Sequence, residues 1–124
     1  MVNKQDYLNA ITQNIEMVRG DTLAFDFQLS GLGSRAAYED MGVTLAVAEH
    51  YEDESLIELS NGYGIELEDY NAVTDTATYS VILSPNQTKT LDLARYYYDL
   101  QIQDSDNVIT LMRGRLTLLW DVAD

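Results

Sequence analysis

A single histidine, His50, and no cysteine stand in the 124 residues, so the nucleophile–base pairs of covalent catalysis have almost nothing to be built from. A Ser-His-Asp arrangement would have to use His50, which sits beside Tyr51 and Glu52 with no nucleophile near it in sequence. The same scarcity removes Cys-type zinc sites and multi-histidine metal sites. Hard oxygen ligands remain in two acidic loops, Glu52-Asp53-Glu54 and Asp104-Ser105-Asp106-Asn107. Loop carboxylates suit calcium, but the second loop lacks the glycine and distal glutamate of an EF-hand, and both read first as solvated turns. Paired carboxylates for glycoside hydrolysis could be drawn at will from 21 acidic residues, so their abundance singles out none. No glycine-rich phosphate loop is present. The expectation is a non-enzymatic protein with no catalytic residues, no cofactor and no metal ion.

What remains is the chemistry of contact. Arg113-Gly114-Arg115 places two of the seven basic residues on one outward parity of a strand in an acidic protein. The plainer reading is cross-strand pairing with Asp99 or another acid, and we favour it; the alternative is a docking point for an acidic neighbour. Tyr97, between Arg95 and Asp99, marks a second contact surface, because aromatics and arginine are enriched in interface cores. Tyr7, in the polar N-terminal stretch, completes the set of interaction candidates. Nine tyrosines are more than one core needs, and the excess favours a protein that touches other proteins. Arg19-Gly20-Asp21 is an adhesion motif in other settings, but a glycine between charged residues at a strand end is ordinary turn chemistry.

The elements that would carry these residues follow a period of two. Over residues 94–103, Tyr96, Tyr98, Leu100 and Ile102 fall on one side, and Arg95, Tyr97, Asp99, Gln101 and Gln103 on the other, the mark of a strand with one buried face. A polar turn leads to a second apolar run, residues 108–120, where Met112, Leu116, Leu118 and Trp120 share a parity. Together they predict a long antiparallel hairpin as the spine of the domain. Residues 14–18, 22–30, 43–49, 56–59, 65–68 and 76–83 read as further strands, with polar or glycine turns between them and a polar connection over 35–42. Ser84-Pro85-Asn86-Gln87 carries a helix-start pattern and predicts a short helical turn near 85–91.

About eight strands and one short helical turn make an all-β fold, read as an antiparallel immunoglobulin-like β-sandwich spanning residues 14–124 behind an N-terminal arm, residues 1–13. The run Leu91-Asp92-Leu93-Ala94-Arg95-Tyr96 has the spacing of a tyrosine corner, with a plain core role for Tyr96 as the alternative. A formal charge of -14 opposes nucleic acid and anionic membrane as partners. We expect no signal peptide and no membrane span, and synthesis in a cytoplasm.

Val18-Arg19-Gly20-Asp21-Thr22-Leu23-Ala24-Phe25, Gly64-Ile65 and Tyr96-Tyr97-Tyr98-Asp99-Leu100-Gln101, ahead of a strand containing Gly114, together resemble small virion proteins of tailed bacteriophages and prophages. Among these are the immunoglobulin-like N-terminal domains of baseplate upper proteins. The resemblance covers residues 14–120. Baseplate upper proteins continue into a long C-terminal extension, whereas this sequence stops at Asp124; the resemblance thus implies a single-domain tail, neck or baseplate adaptor, or a capsid decoration protein. It further implies a virion location after synthesis in the bacterial host cytoplasm, with other virion structural proteins as partners in a homo-oligomer or symmetric assembly. A carbohydrate- or cell-surface-binding module is the competing class.

Overall fold

The structure, a computed structural model, describes residues 11–92, 94–104 and 107–120. Tyr7, most of the N-terminal arm and the tip of the second acidic loop lie outside the described residues. The elements in order are β1 (Ile11–Thr12), β2 (Ile15–Val18), β3 (Leu23–Ser30), α1 (Arg35–Asp40), β4 (Gly42–Ala48), β5 (Ile57–Asn61), β6 (Gly64–Asn71), β7 (Thr76–Leu83), α2 (Pro85–Thr88), β8 (Arg95–Gln103) and β9 (Val108–Leu119). They form one mixed sheet, ordered β1-β9-β8-β4-β5-β6-β7-β3 with β2 also on β9, nearly closed into a barrel. The all-β class and the β8–β9 hairpin are as the residue pattern predicts.

The alternation holds where it is cleanest. Tyr96, Tyr98, Leu100 and Ile102 of β8 are buried, as are Val43, Leu45 and Val47 of β4. Leu29 is buried, with Leu23, Phe25 and Phe27 half-buried against the same core, while Ala24, Asp26 and Gln28 are exposed. One contiguous apolar cluster fills the space between the inward faces.

The sheet is mixed, however, and not antiparallel throughout. β1 and β2 run parallel to β9, so the arm's last described residues already belong to the sheet. β5 meets β6 in parallel at two residue pairs, Ser60 with Gly64 and Asn61 with Ile65. The turn Asn61-Gly62-Tyr63-Gly64 joins the two strands. Ser60 and Tyr63 exchange backbone hydrogen bonds of 2.9 and 2.8 Å, and the Gly62 amide donates to the Ile65 carbonyl at 2.9 Å. Gly62 and Gly64 hold φ of +79° and +88°, a region that glycine enters without steric cost.

Two further departures are local. The expected polar connection over 35–42 contains α1, capped by the Ser34 hydroxyl accepting from the Ala37 amide and fixed by a fully buried Tyr38. In β9 the register slips opposite Leu100 and Gln101. Ile109 is buried on one parity and Leu116 and Leu118 on the other. Trp120, expected on the core parity, is 53% exposed. The Ser84 capping box forms as predicted.

Asp75, in the β6–β7 turn, ties three segments together. It holds φ +50°, an uncommon conformation outside glycine that Asp and Asn tolerate best. Its carboxylate accepts from the amides of Gly31 and Gly33 and from the hydroxyls of Tyr38 and Tyr70. Burial alone pushes this carboxyl up, but the Gly33 amide, the two hydroxyls and the Gly31 amide outweigh it and hold it below the usual carboxylate range. A depressed folded-state value stabilises the fold above the ordinary carboxylate pKa and loses that effect as pH falls through the folded one. Asp75→Asn keeps the backbone conformation and removes the charge. We expect it to lower the melting temperature by several degrees at pH 7, with the gap to the parent narrowing below pH ~4. A gap independent of pH in thermal melts would refute the ionic role.

Candidate functional site

β8 and β9 bring the sequence candidates together on one outer face. Directly opposed residues in an antiparallel pair project to the same side, and the register pairs Arg95 with Thr117, Tyr97 with Arg115, and Asp99 with Arg113. Arg95, Arg113 and Arg115 are exposed, and Tyr97 and Asp99 are half-buried. Sequence reasoning missed Tyr51, since the loop carrying it is distant in the chain. Its ring lies 4.7 Å from that of Tyr97, and the Arg113 guanidinium sits over it at 4.0 Å from the ring centroid. His50 is exposed, with its ring 6.0 Å from that of Tyr97.

The favoured pairing of Arg113 with Asp99 is therefore present as register but not as a close ion pair. Among the described residues no such pair forms within 4.0 Å; the guanidinium stacks on Tyr51 instead. A cation over an exposed aromatic face contributes about 0.5–1 kcal/mol, comparable to the surface ion pair it replaces. Burial pushes the Asp99 carboxyl above its ordinary value, with Arg113 pulling the other way. The outer face of β4 borders the cluster: Ala46 and Ala48 line a depression of about 50 Å³ with His50, Tyr51, Tyr97 and Asp99. That is far below the roughly 300–1,000 Å³ of small-molecule sites. The face is a surface for contact, with guanidinium groups, phenol edges and a rim of carboxylates.

The edge of this face is anchored through Gly114. A Cβ placed there would lie 2.1 Å from the Gln13 carbonyl oxygen and 2.7 Å from the Gln13 carbonyl carbon. The close approach lets the Gln13 amide donate to the Arg113 carbonyl at 2.9 Å. It also lets the Asn14 side chain accept from the Arg115 amide at 3.0 Å, and the Tyr98 hydroxyl donate to the Gln13 carbonyl. The spacing Arg113-Gly114-Arg115 thus has two causes: the arginines face outward while the glycine faces an incoming backbone.

Arg19-Gly20-Asp21 is turn chemistry, as the plainer reading has it. The Arg19 side chain donates to the carbonyls of Leu91 and Lys89, lies 3.7 Å from the Asp92 carboxylate, and sits 5.4 Å from the Trp120 ring centroid. The Gly20 amide donates to the Thr88 hydroxyl. An arginine so engaged is not free to reach an adhesion receptor; it clamps the β2–β3 turn to the segment after α2.

Among the described residues no group of three or more histidines and carboxylates is placed to hold a metal ion, and no helix is long and apolar enough to cross a membrane. No protein-family model matches the chain, and no curated protein matches it.

Proposed function

We propose that the chain is a non-enzymatic structural virion protein of a tailed bacteriophage, a tail, baseplate or neck adaptor that works by protein–protein contact. The observation that carries this reading is the Tyr97–Tyr51–Arg113 cluster with Arg95 and Arg115, an aromatic and guanidinium face on a rigid sheet. Tyrosine and arginine supply contact area and hydrogen bonds and are enriched among the residues that carry most interface energy. The strand order supports an immunoglobulin-like reading of the fold. β3, β7 and β6 correspond to strands B, E and D, and β4, β8 and β9 to C, F and G, with Tyr96 at the start of F. The first strand departs from that plan by pairing with β9. Capsid decoration is a second location for the same contact chemistry. A glycan-binding module is favoured less, because the Tyr97 and Tyr51 rings pack on each other at 50°, Arg113 covers a face of Tyr51, and the depression beside them is small.

An antibody raised against the purified chain, applied to density-gradient fractions of tailed particles from producing cells, tests the reading. The chain is expected to co-migrate with the particles, and the pure protein to bind nothing in a glycan screen with or without calcium. A chain that stays at the top of the gradient, or saturable glycan binding abolished by Tyr97→Ala, would overturn it.

A further inference from the structure

The outer faces of the two ends of the sheet carry opposite charge. On β9 and β8, Arg95, Arg113 and Arg115 cluster around Tyr97; these are three of the seven basic residues of the whole chain. On the outer face of β3, β7 and β6 the exposed ionisable side chains are Asp26, Glu66, Glu68 and Asp69. Asp26 and Glu66 flank Ser80 in one row of the ladder, Glu68 accepts from the Ser80 hydroxyl at 2.8 Å, and Asp69 lies opposite Thr78 one row on. None of these three strands contains a lysine or arginine, so this face has no internal counter-charge.

We propose that a second copy of this chain seats its acidic β3–β7–β6 face on the arginine–tyrosine face of β8 and β9. The inference rests on the contact reading above and names the partner. Charge complementarity selects it: in a chain of net charge -14 most self-contacts set carboxylate against carboxylate, whereas this pairing sets the acidic face against three exposed arginines. Both faces also space their charges on the same lattice, ~4.8 Å between strands and ~7 Å between same-side residues along a strand. Half-buried Asp99 lies opposite Arg113 within the arginine face, and Glu16 and Glu58 lie at its margins, on β2 and β5, so that the exposed charges at its centre are the arginines. The contact joins two different surfaces, so it repeats from copy to copy and closes into a ring or extends as a filament, as heterologous contacts do.

Ionic strength separates the contact from overall repulsion. At about 0.15 M salt the Debye length is ~8 Å, which screens the net charge of two copies but not pairs in contact; at 1 M it is ~3 Å and both are weakened. Light scattering of the full chain at 0.15 M is therefore expected to show mass rising with concentration beyond a dimer, and a monomer at 1 M. R113E/R115E and D26K/E66K/E68K should each weaken association about tenfold or more, and mixing the two variants should restore it, since each then offers the face the other needs. Mass that stays monomeric in 0.15 M salt at all concentrations would overturn self-contact, as would variants that associate like the parent or a mixture that fails to recover. Co-migration with particles is read independently, so loss of self-contact leaves the contact function itself still open to its own test.

Discussion

Gly114→Ala is expected to release the first strands from β9 and to lower stability by about 1–3 kcal/mol, the usual cost of forcing atoms into a well-packed place. One methyl group suffices because the atoms it meets are backbone. A Cβ 2.1 Å from the Gln13 carbonyl oxygen has no flexible side chain to push aside, so the Gln13–Asn14 segment must retreat. Retreat breaks the Gln13 amide's bond to the Arg113 carbonyl, the Asn14 cap on the Arg115 amide and the Tyr98 hydroxyl's partner together. Burial pushes the Tyr98 phenol up to about 12, with Tyr51 adding to the effect; the hydroxyl therefore stays a donor and would lose its acceptor. Amide hydrogen exchange locates the damage: the Gln13, Arg115 and Arg19 amides should exchange faster in the variant, while those in β3 and β7 change little. Unchanged exchange at Arg115 with an unchanged urea midpoint would show that β1 and β2 are not held as described.

How far the sequence discloses this arrangement depends on the range of the interaction involved. Leu23–Leu29, Val43–Val47 and Tyr96–Ile102 are legible because a half-buried strand writes its burial in alternate letters. α1 is hidden because Arg35, Glu39 and Asp40 give it the polarity of a loop, although Ser34 before Ala36-Ala37 is a usable N-cap signal. Trp120 misleads because a parity count assumes that the strand continues: it shares the parity of Leu116 and Leu118, but β9 ends at Leu119 and the ring lies beside Arg19 instead. The parallel pairings leave no local mark: β2 finds β9 across more than ninety residues, and what selects it is the inward row of Ile15 and Met17 against the core. For the same reason Arg95, Tyr97, Arg113 and Arg115 could be placed on one face from parity and hairpin register, whereas Tyr51 and the acidic β3–β7–β6 face emerge only from the folded sheet.

Tyr79→Ala is expected to cost about 3–5 kcal/mol, a large part of the ~5–15 kcal/mol that holds a domain of this size together. Tyr79 is fully buried in β7, the strand that joins β3 to β6. Its ring stacks on Phe27 at 5.0 Å with the planes 7° apart, and its hydroxyl donates to the Tyr38 carbonyl at 2.9 Å. Truncation removes the ring from the centre of the cluster and one of the bonds that tie α1 to the sheet at the same time. Tyr79→Phe separates the two effects: it keeps the packing, removes the bond to the Tyr38 carbonyl, and should cost about 0.5–1.5 kcal/mol. Alkali supplies the independent check. Burial, reinforced by Tyr38, pushes the Tyr79 phenol up to about 12. A raised folded-state value means that the neutral, buried form stabilises the fold below the ordinary phenol pKa near ~10, and that this stabilisation drains as pH rises through the folded one. The parent should thus lose stability between pH ~10 and ~12 more steeply than Tyr79→Phe, which has no proton to give there. Parallel stability curves for the two proteins across that window would show that burial of the Tyr79 phenol does not couple its ionisation to unfolding, and would overturn the role given to it here.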